Sequence, residues 1–288
     1  MLRLNECCWY QPGKYYRYNA GVFLSRGQAA LIDPGMTFSE LAAIRQFLAE
    51  EEAQVCVLML THFHWDHLMG AGLDWGKVRL LAHTRFGEEF TRHLTANRAA
   101  IDSWATEAKE DISVLNLHQE ILPVDIDIPI NLGDLRLRPL YTPGHTADHL
   151  SIFEETTGTL WAGDILSDVE IPFVSNSLTE YLRSNQFLRG LKINSLVPGH
   201  GSPAKTEEDV RQRLEKDRVY LQELADQAQA SIFAGCSMLE TVERCSGINY
   251  RFPAENENAH RWNTESAYVE LGGEARVGPV GWQKEWLQ

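Results

Sequence analysis

Residues 60–70 read LTHFHWDHLMG, and this stretch places four potential metal ligands within six positions: His62, His64, Asp66 and His67. In a chain of 288 residues with ten histidines, the ordered pattern H-x-H-x-D-H is expected by chance only about once in a thousand such chains. Imidazole and carboxylate suit zinc and neighbouring divalent metals, and one short loop can deliver several ligands with little loss of chain entropy. The stretch therefore predicts a metal site rather than a chance surface cluster.

Further candidate ligands follow other strands. The histidine-rich loop comes directly after the apolar run VCVLML (residues 55–60), and sites in layered α/β proteins tend to lie at such strand ends. Four ligands from one loop cannot complete the shells of two metals, so the hypothesis requires more. Three residues beside a glycine or proline, each after a predicted strand, supply them: His145 in TPGHT, Asp164 in AGD and His200 in VPGHG.

Short apolar runs rich in branched residues alternate with helical patterns. The predicted strands are residues 21–25, 30–33, 55–60, 78–82, 135–141, 149–153, 158–163 and 194–201, and the predicted helices are 38–51, 83–111 and 179–190. Hairpin-like strand pairs interrupt the strand–helix–strand rhythm that a doubly wound parallel sheet requires. The pattern favours a mixed-sheet, layered α/β architecture.

The composition shifts at about residue 206. The sequence TEED from Thr206 is an N-terminal capping signal with acidic residues at the positive end of a helix. An apolar face then runs from Val210 to Ile232, and Gly235 is expected to end the helix. We therefore expect a main domain over residues 1–205, which contains the candidate ligands, and a helical cap or extension over residues 206–288.

Charge and cysteine usage restrict partners and location. The net charge of −14 and the pI of about 5.2 disfavour a nucleic-acid partner. The amino-terminal sequence MLRLNECCWYQPGKYY has neither a signal-peptide core nor an apolar run long enough to span a membrane. Five cysteines without paired spacing do not suggest a disulfide scaffold. We expect a cytoplasmic protein without a membrane partner, and the sequence leaves a homodimer open.

The motifs carry a family resemblance. THFHWDH, TPGHT, AGD and VPGHG, in this order and at these distances, resemble the metallo-β-lactamase-fold hydrolases, in particular the glyoxalase II-like branch, and LIDPG with Asp33 resembles the family's early strand-end motif. The resemblance covers roughly residues 20–205. It implies an αββα sandwich with a cleft at one edge that holds two metals. It also implies that Asp164 bridges the metals, with His62, His64 and His145 on the first and Asp66, His67 and His200 on the second.

The implied cofactors are two Zn²⁺ ions, although iron or manganese would also suit these ligands. Two cations roughly 3.5–4 Å apart lower the pKa of a bridging water towards about 7, and the resulting hydroxide can attack a polarised carbonyl. The expected substrate is a small-molecule thioester, ester or lactone. Asp66 is also expected to act in catalysis, by orienting the hydroxide or by carrying a proton.

Other polar residues have ordinary interpretations. His149 is expected to support the ligands or to stabilise its strand, with lining of the pocket as the alternative, because ligating histidines need hydrogen-bond partners. Asp33 is expected to be a supporting or turn-forming carboxylate. His83, His93 and His118 have no neighbouring ligands, so we expect surface or core roles for them.

Three aromatic or apolar stretches remain open between packing and recognition. Residues 166–177 (LSDVEIPFVSNS) either form a wall of the substrate pocket or pack in the core. The carboxyl-terminal residues His260, Trp262 and Tyr268 are expected in a packed helical cap, with a lid over the cleft as the alternative. For YYRY (residues 15–18), packing is favoured over recognition.

Alternative functions stay within the same fold. A persulfide dioxygenase-like oxidoreductase would use one iron with a similar ligand set, and some small relatives with these motifs are endoribonucleases. The acidic charge argues against a phosphodiesterase acting on RNA. Ser167, three residues after Asp164, stands where acyl-homoserine lactonases often have a tyrosine, which counts against that activity.

Overall fold

The computed structural model describes residues 1–73, 75–113, 121–124, 126 and 128–274. His118 and the end of the predicted carboxyl-terminal extension, residues 275–288, lie outside the described residues. Among the helices that are described, none combines the length and the apolar character needed to cross a membrane.

Two mixed β-sheets form the centre of the fold. The first contains β1 (Leu2–Arg3), β2 (Cys8–Pro12), β3 (Asn19–Ser25), β4 (Gln28–Ile32), β5 (Gln54–Met59), β6 (Arg79–Ala82) and β7 (Ile121–Pro123), in that order. Its strands are antiparallel from β1 to β4 and parallel from β4 to β7. The second sheet has the order β12-β11-β10-β9-β8, with β8 (Ile130–Leu132), β9 (Leu135–Tyr141), β10 (Leu150–Glu154), β11 (Thr159–Gly163) and β12 (Ser195–Pro198).

Seven α-helices accompany the sheets in the described part of the chain. They are α1 (Phe38–Glu50), α2 (Trp65–Leu68), α3 (Phe86–Ala108), α4 (Leu178–Arg189), α5 (Glu207–Phe233), α6 (Met238–Cys245) and α7 (Pro253–Glu270). The predicted capping signal at Thr206 is confirmed, because its side chain accepts a hydrogen bond from Asp209 N. The helix predicted over residues 83–111 is shorter than expected and ends where Lys109 adopts a left-handed conformation, with φ of 58°.

The helices cover the outer faces of the two sheets. Side chains from both sheets meet in an inner core that includes Phe23, Met59 and Trp161. Residues of α1 and α3 pack on the outside of the first sheet, and residues of α4, α5 and α7 pack on the outside of the second. The predicted αββα sandwich is therefore confirmed.

Four strands deliver polar residues to one edge of the sandwich. β5, β9, β11 and β12 are followed, respectively, by the histidine-rich loop, His145, Asp164 and His200. Three backbone hydrogen bonds join the two halves of the sandwich at this edge. Leu150 N donates to Thr61 O over 2.8 Å, Asn19 N donates to Gly199 O over 2.7 Å, and Gly201 N donates to Arg17 O over 2.8 Å. The fold thus brings distant segments of the chain together at one place.

Candidate metal centre

The structure places all seven predicted ligands at this edge, in two groups. His62, His64, His145 and Asp164 form the first group, and Asp66, His67 and His200 form the second. Within each group the potential ligand atoms all lie within 4.8 Å of one another. Such convergence of imidazole and carboxylate is the arrangement that divalent transition metals require.

The first group surrounds one oxygen of Asp164. His145 Nε2 lies 3.0 Å from His64 Nδ1, and His62 Nε2 and His145 Nε2 lie 3.5 and 3.6 Å from Asp164 Oδ2. His62 is fully buried and His145 has an exposed fraction of 4%. These nitrogens point at a common centre from different strand ends.

The second group lies on the other side of the same carboxylate. Asp66 Oδ2 is 3.1 Å from His200 Nε2 and 3.7 Å from His67 Nε2. Asp164 Oδ1 is 3.2 Å from His67 Nε2, and Asp164 Oδ2 is 3.6 Å from His200 Nε2. Asp164 therefore contacts both groups and stands between them.

In four of the candidate ligand histidines, the ring nitrogen that faces away from the ligand group forms a hydrogen bond. The acceptors are the Phe173 carbonyl for His145 Nδ1, at 3.0 Å, and the Tyr16 carbonyl for His200 Nδ1, at 2.8 Å. Because a carbonyl can only accept, both Nδ1 atoms carry a proton and both Nε2 atoms face the site. The Nδ1 partners of the other two are Asp33 Oδ2 for His67 and Thr61 Oγ1 for His62. This is the support that metal-binding histidines need.

Buried nitrogens at the site lack hydrogen bonds. His62 Nε2 and His67 Nε2 form none among the described residues, although carboxylate oxygens lie 3.2–3.7 Å away. An unsatisfied buried polar atom costs about 1–3 kcal/mol. A cation at the centre of each group would satisfy these atoms, so the residues fit the metals that the ligand set implies.

The charges of the two groups differ. Burial lowers the pKa of His62 and of His64 well below the usual range, so these imidazoles are neutral and available to a metal. Burial also acts to lower the pKa of His67, but the carboxylates of Asp164, Asp66 and Asp33 outweigh it and raise this pKa. The carboxylates around the second group thus stabilise a positive charge on His67, whereas no such stabilisation outweighs burial at His62 and His64.

The structure shows supporting roles for Asp33 and His149. Asp33 accepts from Thr61 N at 2.9 Å, from Thr61 Oγ1 at 2.7 Å and pairs with His67 Nδ1, so the expected supporting role is confirmed. His149 Nε2 accepts from Asp164 N at 3.2 Å, and its Nδ1 contacts Thr142 Oγ1 at 2.9 Å. His149 therefore orients the backbone of Asp164 while both of its ring nitrogens are occupied outside the two ligand groups.

Among the described residues, the remaining histidines, His83, His93 and His260, have the packing roles that were expected for them. His83 stacks on Tyr141 with ring centroids 4.3 Å apart, and burial lowers its pKa to about 4. His93 stacks on Phe63 at 4.7 Å. His260 bonds to Tyr220 and to the Cys245 carbonyl within the carboxyl-terminal helices, which agrees with a packed cap.

In the other two stretches left open by the sequence, residues 166–177 and 15–18, some residues pack in the core and others do not. In residues 166–177, Ile171 and Val174 are buried in the core, whereas the half-buried Phe173 ring lies 5.9 Å from the His145 ring. In residues 15–18, Tyr18 is fully buried, as expected, but Tyr16 is 53% exposed. Packing alone therefore explains neither stretch completely.

Tyr16 and Glu170 are contributors that the sequence pattern did not identify. Tyr16 has a left-handed backbone with φ of 53°, an unusual conformation that accompanies its carbonyl contact with His200. Glu170 interacts electrostatically with His200 and Asp164, and burial raises its pKa. A carbonyl and a loop carboxylate carry no sequence motif, so only the fold reveals them.

Asp148, in the loop between His145 and His149, is expected to make the free energy of unfolding depend on pH. Its side chain is fully buried, and burial raises its pKa from 3.8 to about 7, partly opposed by the Thr146 hydroxyl. Between these values the unfolded chain releases a proton that the folded chain retains, so the free energy of unfolding falls as the pH rises from about 4 to about 7. The Asp148→Asn variant removes this dependence.

We expect metal-free Asp148→Asn to be more stable than the metal-free parent at pH 8, by up to about 4 kcal/mol, and similar to it near pH 4.5. Urea unfolding of both proteins at the two pH values measures the difference. A stability difference that is equal at both pH values would contradict the assignment.

The four-layer fold, with a histidine and aspartate cluster at its edge, defines the class of metal-binding αββα proteins. The chain belongs to the metallo-beta-lactamase superfamily, whose family model matches residues 16–200. That match contains every residue of the two ligand groups.

Known relatives agree with this assignment. The chain is 28% identical over 162 residues to the "Beta-lactamase-like protein 2 homolog" of Drosophila melanogaster, covering 56% of this chain and 50% of the relative. It is 24% identical over 287 residues to the "Atrochrysone carboxyl ACP thioesterase" of Aspergillus chevalieri, covering 96% and 83%. Hydroxyacylglutathione hydrolases are also among its relatives, which confirms the predicted glyoxalase II-like resemblance. The chain thus spans about half the length of the fruit-fly relative.

A solved structure shares nearly the whole fold. A metallo-beta-lactamase family protein from Thermus thermophilus superposes with a TM-score of 0.70 and 25% sequence identity. The match covers 96% of this chain and 98% of that protein, so it includes the carboxyl-terminal helices.

Proposed function

We propose that the protein is a metal-dependent hydrolase that holds two divalent cations, zinc in the first instance, and cleaves a small-molecule thioester, ester or lactone. One observation carries the proposal: two buried ligand groups converge on opposite sides of a shared carboxylate, Asp164. Sites of this kind serve hydrolysis because they hold both the attacking and the leaving oxygen or sulfur.

The proposed ligands follow the two groups. His62, His64 and His145 would hold the first cation, Asp66, His67 and His200 would hold the second, and Asp164 would contribute to both. When bound, such cations act as Lewis acids that polarise a carbonyl and lower the pKa of water towards neutrality.

Asp66 is the proposed catalytic carboxylate. Burial acts to raise its pKa, but His67 and His200 outweigh burial and lower it, so the carboxylate is ionised at neutral pH. In addition to holding a cation, Asp66 is proposed to accept a proton from the attacking water and to pass that proton to the leaving group.

Aromatic residues beside the ligands suit an organic substrate. Tyr16 and Trp65, the neighbour of Asp66, pack edge to face at 5.9 Å. Phe173 lies beside His145 and 6.3 Å from Trp262. We propose that these two pairs contact the acyl or leaving portion of the substrate and exclude water from it.

Thioesters are favoured over homoserine lactones. The thioesterase name of the fungal relative, which matches nearly the whole chain, supports a thioester. The hydroxyl of Ser167 donates to His200 O at 2.7 Å and accepts from the amides of Val169 and Glu170, so it is occupied within the protein. It therefore does not replace the tyrosine that lactonases often carry at that position.

The wider setting of this activity is also proposed. We assign residues 1–205 to a catalytic domain and residues 206–288 to a carboxyl-terminal extension, in a cytoplasmic protein without a nucleic-acid or membrane partner. A homodimer is compatible with this function and is not required by it. The negative net charge of −14 supports a small-molecule substrate over RNA.

The test combines metal content with a substrate panel. Purified protein is expected to contain close to two zinc ions per chain and to hydrolyse members of a panel of acyl thioesters, aryl esters and lactones. The His64→Ala variant removes a nitrogen of the first group and is expected to lose one zinc and at least about 10²-fold in kcat/KM together.

Two results would redirect the proposal. One iron per chain with oxygen consumption on a persulfide would favour the dioxygenase alternative, and cleavage of an RNA but of no small ester would favour a phosphodiesterase. Unchanged hydrolysis by His64→Ala would show that this site is not responsible for the activity.

A further inference from the structure

One face of α7 holds the segment of residues 169–178, which follows Asp164 in the chain. Asn256, Asn263 and Glu270 are spaced by seven residues, about two helical turns, so they lie on the same side of the helix. The exposed fractions of Asn256 and Asn263 are 6% and 0%. Side chains from the carboxyl-terminal helices thus reach a loop of the metal centre.

Asn256 and Glu270 contact the two ends of this segment. Asn256 donates to Val169 O at 3.0 Å and accepts from Ile171 N at 3.3 Å. Glu270 accepts from Leu178 N at 2.6 Å, at the start of α4. The backbone of the segment is therefore bonded to α7 at several points.

Asn263 holds the middle of the segment. Its Nδ2 donates to Pro172 O at 2.6 Å, and its Oδ1 accepts from Val174 N at 2.7 Å. These two contacts lie on either side of Phe173. The side-chain amide therefore fixes the peptide groups that flank this one residue.

Phe173 is the residue whose carbonyl accepts from His145 Nδ1, at 3.0 Å. That bond keeps the proton on Nδ1, so that Nε2 faces His64 Nδ1 at 3.0 Å and Asp164 Oδ2 at 3.6 Å. The direction of the Phe173 carbonyl therefore decides both the tautomer and the ring plane of His145.

The orientation of the Asn263 amide is itself determined. Its Nδ2 also donates to the Tyr220 hydroxyl at 2.9 Å. That hydroxyl donates to His260 Nδ1 at 3.0 Å, because His260 Nε2 is committed to the Cys245 carbonyl at 2.9 Å. A chain of buried, satisfied groups thus runs from α5 and α7 towards the metal centre.

We propose that Asn263 is a positioning residue for the first metal group: through the peptide at Phe173 it fixes His145 for metal binding. The inference rests on the proposed function for the role of His145 as a ligand. It gives the carboxyl-terminal helices a specific task at the site, although none of their described residues belongs to either ligand group.

The test compares Asn263→Ala with Asn256→Ala in the full-length protein. Zn²⁺ dissociation constants are measured by chelator competition, and the imidazole N–H signals are followed by NMR in zinc-loaded, ¹⁵N-histidine-labelled protein. Asn256→Ala also removes a paired backbone contact from the same segment but leaves Phe173 held, and Asn258→Ala alters an exposed asparagine of the same helix.

Asn263→Ala is expected to weaken one of the two zinc-binding steps by about 10–100-fold and to abolish the slowly exchanging His145 Nδ1–H signal. Asn256→Ala and Asn258→Ala are expected to leave that step and that signal unchanged. If Asn263→Ala does not fold, the same measurements are made on Asn263→Asp. This variant keeps the acceptor for Val174 N and loses the donor to Pro172 O. A smaller loss in the same zinc-binding step is expected.

Equal weakening by Asn256→Ala and Asn263→Ala, or no effect of Asn263→Ala, would reduce Asn263 to a general structural role and overturn the inference. A wild-type protein that binds zinc but hydrolyses nothing in the panel would refute the proposed function alone, since the zinc and NMR measurements still decide the role of Asn263. A protein that binds no divalent cation would overturn both.

Discussion

Asp164→Ala is expected to remove both cations and to lower kcat/KM by at least about 10³-fold, the largest effect of any single substitution at this site. The physical reason is that one carboxylate contacts both ligand groups, with Oδ2 3.5 Å from His62 Nε2 and Oδ1 3.2 Å from His67 Nε2. Without it, each group loses a ligand and the charge between them disappears. Metal catalysis supplies several kcal/mol, and each 1.36 kcal/mol is tenfold in rate.

Metal analysis after gel filtration and steady-state kinetics on the best panel substrate provide the measurement. Asp164→Asn is the matched control, because it keeps the shape of the side chain and removes only its charge, so an intermediate loss of metal is expected. His64→Ala, which affects one group, is expected to retain one zinc. Retention of two zinc ions by Asp164→Ala would show that the two groups do not share this carboxylate.

Gly199→Ala is expected to disturb the site through sterics alone. A β-carbon at Gly199 would overlap Asp164 Oδ1 and would lie 2.9 Å from the carbonyl carbon of Gly163, whose backbone cannot move aside cheaply. Gly199 is also bonded to the Gly163 carbonyl and accepts from Asn19 N at 2.7 Å. We expect about 10²-fold weaker zinc binding and about 1–3 kcal/mol lower free energy of unfolding.

The control for this prediction is Gly247→Ala, in a turn where an added β-carbon meets nothing within 4 Å. It is expected to change neither zinc affinity nor stability measurably. Chelator competition and urea unfolding on both variants give the comparison. Normal zinc affinity in Gly199→Ala would mean that Asp164 can move without loss of its role.

The ligand set could be predicted from the sequence because its chemistry is compressed into short motifs at strand ends. A run such as HFHWDH commits several imidazoles to one loop, and TPGHT, AGD and VPGHG each combine a ligand with a turn residue. The mixed-sheet architecture was equally predictable, since apolar strands alternated with helices and hairpin-like pairs.

The supporting residues could not be predicted in the same way. Tyr16 acts through its carbonyl, which every residue type possesses, and Asn263 acts through a backbone segment about ninety positions away. Neither leaves a local pattern, because the interaction depends on which segments the fold brings together. The same reason kept residues 166–177 ambiguous until the structure separated the buried Ile171 from the half-buried Phe173.

The backbone hydrogen bonds that join the two sheets beside the ligands, among them Leu150 N to Thr61 O and Asn19 N to Gly199 O, can form only late in folding. The ligands extend from residue 62 to residue 200, so a complete site forms only after a long loop has closed and the two halves have docked. Cation binding then stabilises the state in which the two halves are docked, because its free energy is added to that of the native state. Removal of the metals by a chelator would consequently open the sandwich first at the edge where these hydrogen bonds join the sheets. Amide hydrogen exchange would therefore increase at this edge before it increases in the outer helices.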